Sequence, residues 1–228
     1  EIHKGADVHT NYFSSIFDMC EKSGYEYKLD NYGALLYVLL HIAKHLKGYG
    51  AGVRMLMDVD VCVRSIDDFD EQKLMNMCKN SGALKCCQMI LSLCNFWFDT
   101  PVRQYMDFTE NQSLITLLEN CFVYGGTFGF YNKNVGSYYL IKSANGKIGV
   151  KERIKAVIIL VFPKWDIVRR EYKYSEKHNY LTPIAYINRL FDGIFRRGKH
   201  SISTVKQIMS SSDESVLNDA QVLKELEL

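Results

Sequence analysis

The chain has 228 residues, enough to bury a full core as one large domain or as a domain with an appendage. Its 28 basic and 26 acidic residues leave a formal charge of +2, which excludes the gross basic excess of a dedicated nucleic-acid binder and leaves nucleic acid only a local basic patch. A hydrophobic share of 47% with 24% charged residues matches a soluble globular protein, and only 3 prolines argue against long linkers.

The 7 cysteines lack paired CxxC spacing and do not read as a disulfide framework or a zinc ribbon. Cys78, Cys86, Cys87 and Cys94 fall within apolar helical patterns, where a free thiol packs as a small hydrophobe. A reducing, cytoplasmic setting is therefore expected. No leader pattern is read, and the longest apolar runs, such as Ala156 to Phe162, fall well short of the roughly 20 residues a spanning helix needs. No membrane partner is expected. At the start, Glu1-Ile2-His3-Lys4 alternates like the end of a strand, either an edge strand of its own or the end of one from a larger domain.

From there apolar residues recur at three- and four-residue spacing, and the expected fold is mainly α. Tyr12 to Ser23 reads as a helix stopped by Gly24. Asp30 or Asn31 caps the next, which runs to about Lys47 and breaks at Gly48-Tyr49-Gly50-Ala51-Gly52. A helix from Val53 to Arg64 follows, then one from Asp70 to Asn80. Ser81-Gly82 separates that from a long helix ending near Phe98, and Asp99-Thr100-Pro101 marks a turn. Glu110 to Tyr124 reads as helix and Gly125 to Gly129 as a loop. Residues 130–150 leave strand and helix open, with Ala144 to Lys147 resembling a hairpin turn. Helix returns from Lys151 to Phe162, restarts after Pro163, and runs again from Pro183 to about Arg197. The segment from Gly198 reads as a weakly periodic helical tail.

The sharpest chemical feature lies on the second of these helices. Leu, Val and Ile surround it almost without interruption, yet Tyr37, His41, Lys44, His45 and Gly48 share one stripe. A buried polar stripe must be hydrogen-bonded or face a solvated cavity, because unsatisfied burial costs about 1–3 kcal/mol per group. A pocket wall is the expected role. His41 and His45, at i and i+4, also have the spacing of two zinc ligands on one helix; Ile42 stands where a metalloprotease carries its Glu, and His3, His9, His178 and His200 supply no third-ligand pattern. Past the glycines, backbone amides at a helix N-terminus can approach an anion, and Arg54 could grip a phosphate or carboxylate. A tight helix–helix turn with an Arg54–Asp58 pair is the plainer alternative. Arg169, Arg170, Lys173 and Lys177, beside Tyr172 and Tyr174, read as a solvated face, with an RNA or partner surface as the lesser reading.

The run His41-Ile42-Ala43-Lys44-His45, followed by Gly50-Ala51-Gly52-Val53-Arg54 and Asp58, resembles the helical half of the uncharacterised bacterial nucleotidyltransferase family. Phe162-Pro163, Tyr172, Leu181-Thr182-Pro183 and Arg189 extend the resemblance, which runs from Glu1 to about Arg197. It implies a polymerase-beta-like catalytic domain upstream, whose Asp-x-Asp pair and a third carboxylate hold Mg²⁺. Glu1 looks like that third carboxylate and hence a catalytic metal ligand. Residues 1–10 are then the end of the catalytic α/β domain, 11–197 a helical substrate-binding domain, and 198–228 the tail. Tyr37, His41, Lys44, His45, Arg54 and Asp58 would contact NTP or acceptor, and an acceptor hydroxyl of unknown chemistry would attack the α-phosphate. Asp58-Val59-Asp60 only imitates the missing pair, since it lies within a helix pattern. These residues alone are not expected to transfer a nucleotide. The other readings are a non-catalytic module that grips an anionic ligand or protein partner, and a zinc hydrolase built on His41 and His45.

Overall fold

The computed structural model describes residues 20–48, 51–108, 112–123, 135–143, 148–196 and 198–227. Among them the chain is mainly helical, as its periodicity predicts, with one short antiparallel hairpin near the N-terminus. Glu1 and its expected strand, residues 12–19 of the first expected helix, the glycine loop 125–129 and the turn 144–147 lie outside the described residues.

The hairpin corrects the first expected helix over its described end. Strand β1 (Cys20–Ser23) pairs with β2 (Glu26–Leu29), with Ser23 opposite Glu26, so Gly24 and Tyr25 form a two-residue turn. Gly24 has a φ of +62°, the left-handed conformation that such a turn needs and that a helix stop also uses. The glycine was legible; which of its two uses applied was not.

Two compact units follow from the chain's contacts: residues 1–133 with 221–228, and residues 134–220. In the first, Asp30 Oδ1 accepts the Gly33 amide at 2.5 Å and opens α1 (Asn31–Gly48). Then come α2 (Val53–Arg64), α3 (Glu71–Asn80), α4 (Leu84–Phe98) and α5 (Gln112–Phe122). Asp70 caps α3 by accepting the Lys73 amide at 3.0 Å. Asp99, left-handed at a φ of 52°, closes α4. Helix α4 is buried from Cys86 through Cys94 with only Gln88 half-exposed, and α1 packs on α2, α3 and α4 through Leu35, Leu39, Ile42 and Leu46. All seven cysteines are free thiols, and burial pushes Cys94 up to about 12.

One polar clasp ties distant parts of this unit. Asp60 Oδ1 accepts from Arg64 Nε at 2.8 Å and from Thr100 Oγ1 at 2.6 Å. The Arg64 guanidinium also donates to the Phe98 and Asp99 carbonyls, so a cation satisfies the carbonyl end of α4.

The second unit holds α6 (Val135–Ser143), α7 (Val150–Val161), α8 (Trp165–Glu171), the short α9 (Lys173–Lys177), α10 (Thr182–Phe191) and α11 (Gly198–Ser210). Helix α12 (Asp213–Glu225) ends the chain. Within the open segment 130–150, Tyr138 to Ile141 thus lie in a helix rather than a strand. Leu140, Ala156, Ile208 and Val216 form this unit's core. Within the segment read as a helical tail, Ile208 and Val216 lie in this core, and Val222 and Leu226 in that of the first unit. Arg153 holds the end of α11 by donating to the Ile208, Met209 and Ser211 carbonyls and to Asp213.

Leu39, at 0% exposure, is the packing test. Leu39→Ala should cost about 2–5 kcal/mol in urea unfolding, against about 1 kcal/mol for the cap variant Asp70→Ala. Equal, small losses in both would mean that α1 is not packed as described.

Candidate functional site

The site begins from the rotation of α1. Leu35, Leu36, Leu39, Leu40, Ile42, Ala43 and Leu46 are buried, so the remaining stripe must face the other way. That stripe carries Tyr37, His41, Lys44 and His45. Its rings form a ladder: Tyr37 stacks on His41 with centroids 5.9 Å apart and planes 13° apart, and His41 meets His45 edge-on at 4.5 Å.

The stripe is more open than a buried pocket wall. Tyr37 is 43% exposed, Lys44 is exposed, and both imidazoles are half-exposed. The reason is packing: seven apolar residues suffice to seat the helix, and the opposite stripe reaches water.

Electrostatics sort the four groups. Partial burial lowers the His41 pKa below its ordinary 6.5, and the electrostatic influence of His45 and then of Lys44 lowers it further. At neutral pH the His41 ring is therefore uncharged, offering one donor and one acceptor, while Lys44 supplies positive charge.

Ala51 and Gly52 are buried at the entry to α2. Gly52, at the cap of that helix, has no side chain to cap its first amides. Arg54 stands exposed in its first turn and Asp58 exposed one turn later. Asp58 raises the Cys62 pKa, behind burial as the larger cause. The structure thus gathers Tyr37, His41, Lys44 and His45 on one face and sets Arg54 and Asp58 on the helix that follows.

Asp58 and Asp60 do not act as a pair. Val59 between them is fully buried, and Asp60 belongs to the Arg64–Thr100 clasp. Among the described residues no group of three His, Cys, Asp or Glu converges, so they form neither a zinc site around His41 and His45 nor a Mg²⁺ cage.

The basic segment is organised by internal bonds and a break at Tyr172. Arg169 lies over the Trp165 ring at 5.3 Å and donates to Asn179 and the Ser175 carbonyl. Tyr172 donates to Asp192 at 2.9 Å, and burial first, then this bond, raises the phenol to about 12.

A groove of about 500 Å³, lined by Glu71, Lys79, Arg103 and Tyr105 among others, has no counterpart in the sequence reading. Its central bond, Tyr105 Oη to Glu71 Oε1 at 2.6 Å, joins residues 34 positions apart, which no local spacing reveals. Burial first, then this bond, pushes the Tyr105 pKa up.

Comparison with protein-family models, with curated proteins and with solved structures gave no match.

The lowered His41 pKa carries a stability consequence. Protons bind the unfolded chain more readily in the window from pH 6.5 down to the folded value, so stability present above that window is lost as the pH falls through it. NMR titration should place the His41 midpoint below 6.5, and His41→Gln should flatten this part of the acid-side loss in thermal stability. A midpoint above that value would contradict the described surroundings of the ring.

Proposed function

We propose that this chain is the helical, substrate-binding part of a nucleotidyltransferase-like protein that passes a nucleotidyl group from an NTP to an acceptor hydroxyl. The observation that carries the reading is the outward stripe of α1, where Lys44 and two imidazoles share one face on the helix that precedes α2 in the chain. The motif resemblance points the same way, as does Arg54 in the first turn of α2.

Each group has a role that its chemistry allows. Lys44 attracts the phosphates as a compact charge, and Arg54 offers a planar fork that can hold two phosphate oxygens. The neutral His41 can donate a hydrogen bond to a phosphate oxygen and gains a proton more easily once that negative charge is near. Tyr37, with much of its ring exposed, offers an apolar face to the rest of the nucleotide.

The described residues contribute binding. Bound Mg²⁺ would supply charge stabilisation at the transferring phosphoryl group, and Glu1, to which the resemblance gives metal ligation, lies outside them. Acceptor choice and nucleotide preference are properties of the whole protein.

ATP with Mg²⁺ should raise the melting temperature of the chain, and Lys44→Ala and Arg54→Ala should each weaken the apparent affinity by about tenfold or more, as for a lost charged hydrogen bond. Unchanged shifts in both variants would remove these residues from nucleotide binding. Release of pyrophosphate from the full-length protein separates transfer from the rival reading of a non-catalytic anion-binding module. Saturable binding without that release favours the module.

A further inference from the structure

The second compact unit differs from the first in charge. Residues 134–220 hold 15 Lys and Arg against 8 Asp and Glu, net +7, whereas the rest of the chain holds 13 against 18, net −5. The formal charge of +2 conceals this division.

The same unit leaves two apolar helix faces uncovered. On α7, Val150, Ile154 and Ile158 recur every four residues, each more than half exposed, and Phe162 continues the row. On α10, Ile184, Ile187 and Phe191 form a second stripe, continued by Phe195, whose ring stacks on Phe191 at 5.9 Å. Phe162 reaches α10, its ring 6.3 Å from Tyr186, whose hydroxyl donates to the Pro163 carbonyl. Apolar faces of this extent on a soluble surface mark a site of contact.

The charges around these faces have a sign. Three of the unit's acidic groups are engaged internally, Glu171 with Arg189, Asp192 with Tyr172 and Arg196, and Asp213 with Arg153, while Asp166 stands exposed. Lys151 and Lys164, directly beside Val150 and Trp165 in the chain, are exposed. An occupant must therefore be apolar on one side and acidic at its edges.

We propose that this unit docks an acidic amphipathic helix of a partner protein across the α7 and α10 stripes. Val150, Ile154, Ile158, Ile184 and Ile187 offer a nucleic acid neither stacking nor hydrogen bonds, and only the phenylalanines that continue the stripes could stack on bases, which favours an apolar protein face over RNA despite the positive charge. Asp166 stands exposed on α8 and Asn188, which donates to the Tyr174 hydroxyl at 2.7 Å, stands exposed on α10, and a protein can answer such groups with its own polar atoms where an acyl layer cannot. Anchors recurring at three- and four-residue spacing are the usual reading of a helix laid against such a surface.

The probe is a labelled peptide of about 20 residues, leucine at i, i+3, i+4 and i+7 with glutamate elsewhere, titrated into the full chain by fluorescence anisotropy. A leucine–lysine peptide of the same pattern, single-stranded RNA and phosphatidylcholine–phosphatidylserine vesicles are the comparisons. The leucine–glutamate peptide should bind saturably and more weakly as salt rises. Ile158→Glu and Phe191→Ser, both at largely exposed positions, should each weaken binding about tenfold or more while circular dichroism stays unchanged. The charge reversals Lys151→Glu and Lys164→Glu, which leave packing untouched, should shift preference towards the leucine–lysine peptide. No saturable binding, equal binding of both peptides, tighter binding to RNA or vesicles, or variants without effect would each overturn the proposal.

Discussion

The seating of α1 in its core is the constraint on which the candidate site depends. Seven apolar side chains lock that helix against its neighbours, so its rotation about its own axis is fixed by burial rather than by any interaction within the stripe. Tyr37, His41, Lys44 and His45 then share an outward face as a consequence. No pairing between them is required to hold it. That separation lets the polar side stay available to a ligand, since changing one of its residues leaves the packed side intact.

The arrangement also divides charge from hydrogen bonding. Crowding His41 between His45 and Lys44 makes a second positive charge unfavourable, and partial burial adds to this. An arriving anion reverses the balance, because it offsets the repulsion that keeps the ring neutral. If the proposed anionic ligand binds here, such a face would respond to it more than a row of three permanent cations, which would repel one another without it.

Much of the helical order was legible where residues punctuate the chain. Gly52 and Asp70 mark helix starts, Asp99 and Pro163 mark ends or restarts, and the observed boundaries fall beside them. Gly24 was ambiguous because a helix stop and a hairpin turn need the same left-handed backbone, and the spacing of Phe13, Ile16, Phe17 and Cys20 favoured the former. The members of the candidate stripe were legible from spacing, but its openness was not: a sequence shows which side of a helix is polar, not what stands opposite it. Contacts between distant elements were beyond reach for the same reason. Asp60 meets Thr100 across 40 positions and Arg153 meets Asp213 across 60, and both pairs are set by packing.

The central claim is that the polar face of α1 receives a negatively charged ligand. Histidine-resolved NMR of the full chain during titration with a nucleoside triphosphate addresses it most directly. The account predicts that the His41 and His45 ring signals respond together and saturably, and that the His41 midpoint moves upward as the phosphates arrive. Ring signals that stay fixed while the nucleotide binds elsewhere, or does not bind, would contradict it.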